Sequence, residues 1–368
     1  MPNIKRAMMG AAGVSAESAG LFAWGHGTNG RLGDGAITFR SSPVQIGELT
    51  TWSDLGAGQT HSIGVRTDGK LFTWGSNGYG ELARGNTTAY SSPVQVGALT
   101  TWSKVAAGSK STFAIKTDGT LWAWGSNQWN GQLGLGDATN RSSPVQVGSL
   151  TDWSKITAGS GNTFAIKTDG TLWAWGSGSN GANGKGNTTT YSSPVQIGSL
   201  TTWAGVSGGY RARLAVRTDG AMFSWGLNSS GELGDGTTTN RSSPVQIGAL
   251  TTWSKISIYY YHSAAIKTDG TLWAWGKNTN GVIGDGTTTN RSSPVQIGSL
   301  TNWSQVSCGR YTTLAIKTDG TLWGWGLGKF IGQDSTTSRS SPVQIGTQTN
   351  WSSVFTHAQH AFAIAAES

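Results

Sequence analysis

Apolar residues occur along this chain in short runs separated by turn residues. In the segment that starts at Thr151, the runs are Ile156–Ala158, Phe164–Lys167, Leu172–Trp175 and Pro194–Ile197. β-Branched and aromatic residues dominate these runs, which is typical of strands, and no apolar stripe of helical period continues along the segment. The pattern predicts four short antiparallel strands and almost no helix.

Turn residues connect the second predicted strand to the third. In the tripeptide Thr168-Asp169-Gly170, glycine accepts the positive φ angle of a hairpin turn and aspartate can hydrogen-bond to its own backbone. A longer loop rich in Gly, Asn and Thr follows the third strand. Pro194 begins the fourth predicted strand, and because proline cannot donate a backbone hydrogen bond, this strand is predicted at an outer edge.

The same pattern recurs along the whole chain. The dipeptide Trp-Gly and the proline of a Ser-Ser-Pro-Val-Gln segment each occur seven times, 48 to 51 residues apart. A period near fifty residues with several strand-like runs is typical of propeller blades or solenoid coils. The copies fill residues 21–368, so the sequence predicts one repeat domain over that range and a separate tail over residues 1–20.

The order of motifs within each period resembles the RCC1 repeat, named after the regulator of chromosome condensation. The resemblance rests on an Ala-Gly-x-x-x-(Ser/Thr)-x-Ala-(Ile/Val) strand, a Thr-Asp-Gly turn, a (Leu/Met)-(Trp/Phe)-x-Trp-Gly strand, a Gly-x-Leu-Gly loop and a Ser-Pro-Val strand. It implies an all-β fold, a seven-bladed β-propeller of four-stranded antiparallel blades. The chain begins with a third-strand copy, Leu21–Trp24, and ends with a second-strand copy, Phe362–Ala365, so these segments are expected to pair and close the ring.

Tryptophan is the most conspicuous apolar residue of the repeat. Of 19 tryptophans, 18 fall at the repeated Thr-x-Trp, Leu-Trp and Trp-Gly positions, where we expect them to pack the blades rather than to sense light or stack on a ligand. Trp129 lies inside a loop, outside the repeated positions. It is therefore a candidate binding residue.

Catalytic and metal-binding constellations are not evident in the sequence. Five histidines lack metal-type spacing, and Cys308 is the single cysteine. The Gly-Asp-Gly loops at Asp34, Asp235 and Asp285 each offer one carboxylate, which is typical of turns rather than of calcium sites. We predict no enzymatic activity, no cofactor and no bound metal. No segment is long and apolar enough to predict a membrane span.

The formal net charge of +8 makes nucleic acid a partner to consider. Six basic residues stand two positions before an aspartate at the hairpin turns, so this ring of charges is locally balanced. The surplus comes mainly from residues spread one per blade: Lys104, Lys155, Lys255, Arg40, Arg141, Arg241, Arg291 and Arg339. Charges spread in this way solvate a surface, whereas a duplex-binding footprint would cluster them, so we expect no duplex nucleic-acid partner.

Differences between repeats are concentrated at one end of the predicted propeller. The loop between the first and second strands varies, and bulky aromatic and basic residues are concentrated in three successive copies. Loops carry function more often than packed strands do, although neutral drift is the alternative explanation. The predicted contact surface consists of Tyr210, Arg211, Arg213, Tyr259, Tyr260, Tyr261, His262, Arg310 and Tyr311.

Tyr259 occupies a position where other copies have glycine. Because the loop that contains it follows the innermost predicted strand, a second interpretation is open. These side chains could plug the central channel instead of forming a contact surface.

The resemblance allows several functions. Members of the family include exchange factors for a small GTPase, a plant ultraviolet sensor and inhibitors that cap other proteins. The even spacing leaves no room for the inserted wedge of the exchange factors, and the Gly-Trp-Arg-His-Thr motif of the sensor is missing, its nearest counterpart being Gly209–Arg213. A non-enzymatic binding module is therefore predicted, and a GTPase exchange factor is the least favoured function.

Residues 1–20 are small and basic, which fits either a secretory signal or a docking peptide. They resemble the N-terminal heads of virion proteins of marine bacteriophages. The resulting prediction is a virion component, a fibre, decoration or adhesin protein, whose tail docks to a larger assembly and whose propeller binds a protein or glycan on a host or virion surface. The alternative is a bacterial RCC1-like protein-binding module, secreted or cytoplasmic.

Overall fold

The structure, a computed structural model, describes residues 20–48 and 51–366. Its strands form seven antiparallel sheets of four strands each. The innermost strands of neighbouring sheets contact each other around a complete ring. This arrangement is a seven-bladed β-propeller, which confirms the predicted fold class.

The strands are numbered in chain order, and each blade contains one of each of four types. The innermost strands are β3 (Trp52–Ala57), β7 (Trp102–Ala107), β11 (Trp153–Ala158), β15 (Trp203–Gly208), β19 (Trp253–Tyr259), β23 (Trp303–Cys308) and β27 (Trp351–Thr356). The second strands are β4 (His61–Arg66), β8 (Ser111–Lys116), β12 (Asn162–Lys167), β16 (Ala212–Arg217), β20 (His262–Lys267), β24 (Thr312–Lys317) and β28 (His360–Ala365).

The two outer strand types complete the blades. The third strands are β1 (Gly20–Gly25), β5 (Leu71–Gly75), β9 (Leu121–Gly125), β13 (Leu172–Gly176), β17 (Met222–Gly226), β21 (Leu272–Gly276) and β25 (Leu322–Gly326). The outermost strands are β2 (Arg40–Gln45), β6 (Tyr90–Gln95), β10 (Arg141–Gln146), β14 (Tyr191–Gln196), β18 (Arg241–Gln246), β22 (Arg291–Gln296) and β26 (Arg339–Gln344). Short 3-10 turns occur at Thr28–Gly30, Ser179–Gly181, Thr279–Gly281 and Gly328–Phe330. Blades 1 to 6 start at β3, β7, β11, β15, β19 and β23, and blade 7 starts at β27.

Blade 7 is assembled from both ends of the chain. Its strand order is β2-β1-β28-β27, and Leu21 pairs with Ile364 while Trp24 pairs with Ala361. The predicted ring closure is therefore confirmed. Strand β1 begins at Gly20, one residue before the predicted start of the propeller, and residues 1–19 of the predicted tail lie outside the described residues.

Three predicted strands start too late in the repeat, and one of them is β12, which begins at Asn162 instead of Phe164. Strand β11 begins at Trp153 instead of Ile156, because Trp153 still pairs with Lys167 across an irregularity in the register. Strand β14 begins at Tyr191 instead of Pro194. The pairing there passes from Tyr191 directly to Val195, so the proline lies in a bulge of an edge strand, where no backbone donor is needed.

The tryptophan of each Trp-Gly dipeptide joins its blade to the preceding one. All seven of these side chains are fully buried. Each indole Nε1 donates to a backbone carbonyl of the preceding blade: Trp24 to Phe330, Trp74 to Arg31, Trp124 to Glu81, Trp175 to Gln132, Trp225 to Ala182, Trp275 to Glu232 and Trp325 to Val282, at 2.8–3.1 Å. This confirms the packing role predicted for these residues. Glycine is required opposite the indole, since a Cβ on Gly234 would lie 2.6 Å from Trp275 Nε1.

The Thr-Asp-Gly turns, which join second strands to third strands, pack against the links between blades. Asp169 Oδ1 accepts hydrogen bonds from the backbone N and the Oγ1 of Thr171, at 2.9 and 2.7 Å. Gly170 has a φ of +78°, and a Cβ there would lie 2.2 Å from the Thr201 carbonyl oxygen. The turn therefore needs glycine both for its conformation and for its contact with the next blade.

Candidate functional site

The loops that vary in sequence all emerge at one end of the propeller. They are the loops between first and second strands and those between third and fourth strands, and we call this end the loop face. The Thr-Asp-Gly turns lie at the opposite end, which we call the turn face. This arrangement follows from the antiparallel order of every blade.

Three predicted tyrosines form one aromatic group on the loop face. The rings of Tyr210 and Tyr260 have centroids 5.0 Å apart, and Tyr260 and Tyr261 meet edge to face at 4.4 Å. Tyr260 takes a φ of +57°, unusual for a non-glycine residue, in the tight turn that joins β19 to β20. All three side chains are half-buried, so each still offers part of its ring to solvent.

Arginine side chains stack on these rings. Arg310 lies between Tyr260 and Tyr311, with its guanidinium carbon 4.5 and 5.0 Å from the two ring centroids. Its Nη2 donates to the Tyr260 hydroxyl at 3.2 Å. Arg211 lies 5.1 Å from the centroid of the Tyr210 ring. The structure therefore brings six of the predicted residues together.

The aromatic group continues beyond the predicted residues within blade 6 and into blade 7. Tyr311 stacks on Phe330 at 5.9 Å with an interplanar angle of 13°. Phe330 in turn contacts His26 and Phe39, at 6.0 and 5.9 Å. We call the series Tyr210, Tyr260, Tyr261, Tyr311, Phe330 and Phe39 the aromatic arc. It extends from blade 4 to blade 7.

Sequence reasoning missed Phe330 and Phe39 of the arc and the neighbouring His26, because all three belong to loops between third and fourth strands. Variation along the first loop alone could not place them. The signal that could have found them is departure from the repeat in the loop between third and fourth strands. Both Phe39, which is 39% exposed, and Lys329 depart from the repeat there.

Arg213 was predicted on the contact surface, but the structure places it in the interior. Its side chain is fully buried, lies 4.9 Å from the centroid of Phe164, and donates to the Gly209 carbonyl oxygen at 2.8 Å and to Asn162 Oδ1. Burial lowers the pKa of its guanidinium to about 9. Arg213 thus ties blade 4 to blade 3, and the surface prediction is wrong for this residue.

His262 is also buried rather than exposed. Its Nε2 lies 2.9 Å from Thr313 Oγ1 of the next blade, and burial lowers its pKa to about 4. The first residue of every second strand is buried in the same way: His61, Ser111, Asn162, Ala212, His262, Thr312 and His360. This position belongs to the contact between blades, so His262 is not part of an accessible surface.

Tyr259 lines the central channel. It is 7% exposed and its ring packs on His357 of blade 7 at 4.3 Å. The channel wall consists of innermost strands from all seven blades, and Tyr259 and His357 are its bulkiest members at the loop-face end. The competing plug interpretation therefore fits Tyr259, whereas Tyr260, Tyr261 and Tyr311 lie outside the channel lining.

Trp129 lies in a second aromatic group on the loop face. It is 53% exposed, its ring lies 5.3 Å from Tyr79 of blade 1, and Lys110 Nζ lies 4.7 Å from its centroid. Lys110 Nζ is also 3.3 Å from the Tyr79 hydroxyl. Trp129 is thus exposed next to a cation, but apart from the aromatic arc.

The positive charges are distributed differently from the prediction. Arg40, Arg241 and Arg291 form ion pairs with Asp34, Asp235 and Asp285, and Arg141 pairs with Asp137, all at 2.5–2.7 Å. These arginines therefore do not supply surplus charge. Within residues 20–48 and 51–366, no ion pair to a carboxylate involves the cations around the arc: Arg211, Lys277, Arg310 and Lys329.

The lysines at the turn face also differ from expectation. Lys267 and Lys317 place Nζ 3.6 Å from the centroids of Trp273 and Trp323. They lie over indole rings instead of pairing with the aspartates two residues away, although Arg217 does pair with Asp219 at 2.9 Å. Cation–π contacts of this kind hold the lysines against their own blades.

Turn contacts and burial account for the Gly-Asp-Gly carboxylates and for Cys308. The carboxylates of the Gly-Asp-Gly loops are held by arginine, as with Asp235 Oδ2 and Arg241, and by threonine, as with Asp235 Oδ1 and Thr237 at 2.7 Å. Cys308 is buried, which raises the pKa of its thiol to about 12. In the part of the chain that the structure describes, no group of three or more His, Cys, Asp or Glu residues is arranged to hold a metal ion. No helix among these residues is long and apolar enough to cross a membrane.

The fold and the repeated contacts define a β-propeller built from RCC1-type blades, and sequence comparison agrees. Residues 11–259 match the RCC1-like domain, and residues 269–316, 253–282 and 303–330 match models of the RCC1 repeat. The chain therefore belongs to the RCC1-like domain family, as the resemblance of its motifs predicted. No curated protein sequence matches the chain.

Solved structures of the same fold cover nearly the whole chain. Prp20p of Saccharomyces cerevisiae is similar with a TM-score of 0.84 and 17% identity, over 97% of this chain and 93% of that chain. Human WBSCR16 is similar with a TM-score of 0.84 and 18% identity, over 95% of this chain and 99% of that chain. At this identity the likeness supports the fold alone.

Proposed function

We propose that this protein is a non-enzymatic, protein-binding propeller that contacts its partner through the loop face. The observation that carries the proposal is the aromatic arc, in which half-buried tyrosines and stacked cations occupy one end of a regular scaffold. Tyrosine and arginine are enriched where binding energy is concentrated, because both offer large contact areas with few rotatable bonds to order. The turn face also has half-buried tryptophans with stacked lysines, but there the same arrangement repeats from blade to blade.

Structural relatives support a protein partner. The structural report on Prp20p describes its binding to Gsp1p and histones, and a second structure shows yeast RCC1 (Prp20) bound to Kap60. These partners are proteins, which is consistent with a protein partner for the loop face. Exchange-factor activity is not part of the proposal, because each blade here contains only its four strands and connecting loops over residues 20–48 and 51–366.

The bacteriophage placement stays a prediction. It depends on residues 1–20, of which only Gly20 is described, and no comparison supports a virion role. A glycan partner and the secreted or cytoplasmic alternatives also stay predictions. The proposal of a protein-binding propeller does not depend on any of them.

The test is an affinity capture, in which the full chain is immobilised and exposed to an extract of its native cell. The variant Tyr260→Ala/Tyr261→Ala/Tyr311→Ala removes three rings of the arc. We expect it not to capture a protein that the wild type captures, because its binding free energy should be weaker by about 2 kcal/mol or more. The matched control is Thr168→Ala/Thr218→Ala/Thr268→Ala, three exposed side chains on the turn face. Trp129→Ala tests the second aromatic group separately.

Two outcomes would contradict the proposal. If no protein distinguishes the tyrosine variant from the threonine control, the loop face is not the contact surface. If the tyrosine variant melts several degrees below the control, the rings serve the fold instead, as the plug interpretation requires.

A further inference from the structure

A cleft opens on the loop face between blades 5 and 6. Its volume is about 260 Å³, enough for one or two side chains, and Tyr261 and Tyr311 form opposite parts of its wall. Val282 contributes an apolar surface to the lining. The cleft lies within the aromatic arc, so a partner seated on the arc would cover it.

The charged groups that line this cleft are both cations. They are Lys277 and Arg310, and among the residues that the structure describes no carboxylate belongs to the lining. Glu232, whose charge interacts with that of Lys277, is fully buried and accepts a hydrogen bond from the Ser230 backbone N at 2.7 Å. Burial raises the pKa of Glu232, which further weakens it as a counter-charge for Lys277.

Arg310 is held in place but keeps donors for a ligand. Stacking between Tyr260 and Tyr311 fixes the plane of its guanidinium group, and one of its nitrogens donates to the Tyr260 hydroxyl. Its Nε is buried and has no hydrogen-bond partner in the described chain. Because the Nε has no exposed surface, a bound acceptor would meet the terminal Nη1 and Nη2 groups of Arg310 instead.

We propose that this cleft receives the carboxylate of an aspartate or glutamate side chain from an acidic segment of the partner. The inference rests on the proposed protein-binding function and names the chemistry of the group that is recognised. A carboxylate can accept paired hydrogen bonds from a fixed guanidinium plane and a third from Lys277. The tyrosine rings on either side exclude water from this pairing and so strengthen it.

The test uses the full chain and a fluorescein-labelled hexaglutamate peptide, followed by fluorescence anisotropy. Wild type should bind hexaglutamate and not hexaglutamine, and Lys277→Gln/Arg310→Gln should weaken binding roughly tenfold or more. The control Lys104→Gln/Lys255→Gln removes the same charge from exposed positions on β7 and β19. We expect it to bind nearly as wild type does.

A carboxyl-to-amine crosslinker then locates the peptide, and it should join the peptide to Lys277 rather than to Lys104. Equal weakening by the two charge-matched variants, or the absence of binding to wild type, would overturn the proposal. Displacement of the peptide by inorganic phosphate at concentrations at which free glutamate has no effect would also overturn it, since the cleft would then select phosphate.

Failure of this inference is distinguishable from failure of the proposed function. A partner that is lost by the tyrosine variant but retained by Lys277→Gln/Arg310→Gln would show a protein-binding face that does not use the cleft for a carboxylate. If hexaglutamate binds specifically but no protein is lost by the tyrosine variant, the cleft is an anion site and the proposed protein-binding function is refuted.

Discussion

Tyr259 and His357 contact each other across the end of the central channel, with ring centroids 4.3 Å apart and planes inclined by 54°. They belong to blades 5 and 7, and Gly309 of blade 6 lies between them in the ring. Each occupies the position that is glycine in the other five blades: Gly58, Gly108, Gly159, Gly209 and Gly309. A Cβ on Gly309 would approach the His357 carbonyl oxygen to 3.0 Å, so the two large rings depend on the small residue between them.

This contact predicts a structural role for Tyr259. Tyr259→Gly restores the residue of the other blades but removes a buried ring, and we expect it to lower the free energy of unfolding by about 3 kcal/mol. The control Tyr261→Ala removes a half-buried ring of the loop face and should cost much less. Urea unfolding of both variants measures the difference. Equal losses would show that Tyr259 does not stabilise the channel end.

Ring closure should dominate the stability of the whole propeller. Deleting residues 360–368 removes β28, which pairs with both β1 and β27. We expect the midpoint of thermal unfolding to fall steeply, because β1 and β2 lose their attachment to the ring and leave open strand edges.

A circular permutant provides the control for this truncation. It joins residue 366 to residue 20 through an inserted Asp-Gly, which gives this hairpin the turn length of the other blades, and opens the chain between blades 3 and 4, so that every strand is kept. Its unfolding midpoint should stay close to that of the wild type. A truncated chain that melts together with the permutant would contradict the closure scheme.

Acid should destabilise the protein through its buried histidines. Burial lowers the pKa of His61 to about 3 and that of His262 to about 4, from an ordinary value of 6.5. Between the folded-state pKa and 6.5, the unfolded chain therefore binds more protons than the folded chain does. The stability that the neutral histidines contribute is complete above pH 6.5 and is lost as the pH falls towards the folded-state pKa.

The variant His262→Asn isolates one of these groups, since blade 3 has Asn162 at the same position. Between about pH 7.5 and 4.5 the wild type should lose about 2–3 kcal/mol more unfolding free energy than this variant. Urea midpoints at the two pH values measure the change. An identical pH dependence would mean that His262 does not remain neutral in the folded protein.

In the loop between the third and fourth strands of blade 4, we expect a second substitution to restore the stability that a first one removes. Asp235 pairs with Arg241 at 2.7 Å, whereas blade 3 has Lys185 and Tyr191 at the same two positions. Arg241→Tyr alone leaves the buried Asp235 carboxylate without its cation and should cost about 1–3 kcal/mol. Adding Asp235→Lys recreates the pair of blade 3 and should recover most of this loss. A double variant as unstable as the single one would show that the two positions are not coupled.

Much of the fold could be predicted because each blade repeats the same local pattern. The Thr-Asp-Gly turn defines one hairpin, the Trp-Gly dipeptide marks the third strand, and the copies at Leu21–Trp24 and Phe362–Ala365 reveal how the ring closes. Strand starts were less predictable. Trp153 and Tyr191 extend their strands through irregular pairing, which leaves no simple alternation in the sequence.

The candidate site could be predicted only in part. Tyr210, Tyr260, Tyr261, Arg310 and Tyr311 were found because they depart from the repeat in neighbouring copies. Arg213 and His262 depart from it as well, but departure from a repeat does not distinguish an exposed side chain from one that is buried between blades. The equivalence of His357 to Tyr259 was missed because the last copy has no glycine to mark the position.

The sequence alone therefore determined the architecture, because hairpins and blade packing depend on residues that recur at a fixed spacing. The tertiary structure decided which charges are free and which rings meet. Phe330 contacts Phe39, which is nearly three hundred residues away along the chain, because blades 6 and 7 are neighbours in the closed ring. Arg40 is neutralised by Asp34 within its own loop. Such contacts depend on how neighbouring blades pack and on the path of each loop, and neither is encoded in the period of the repeat.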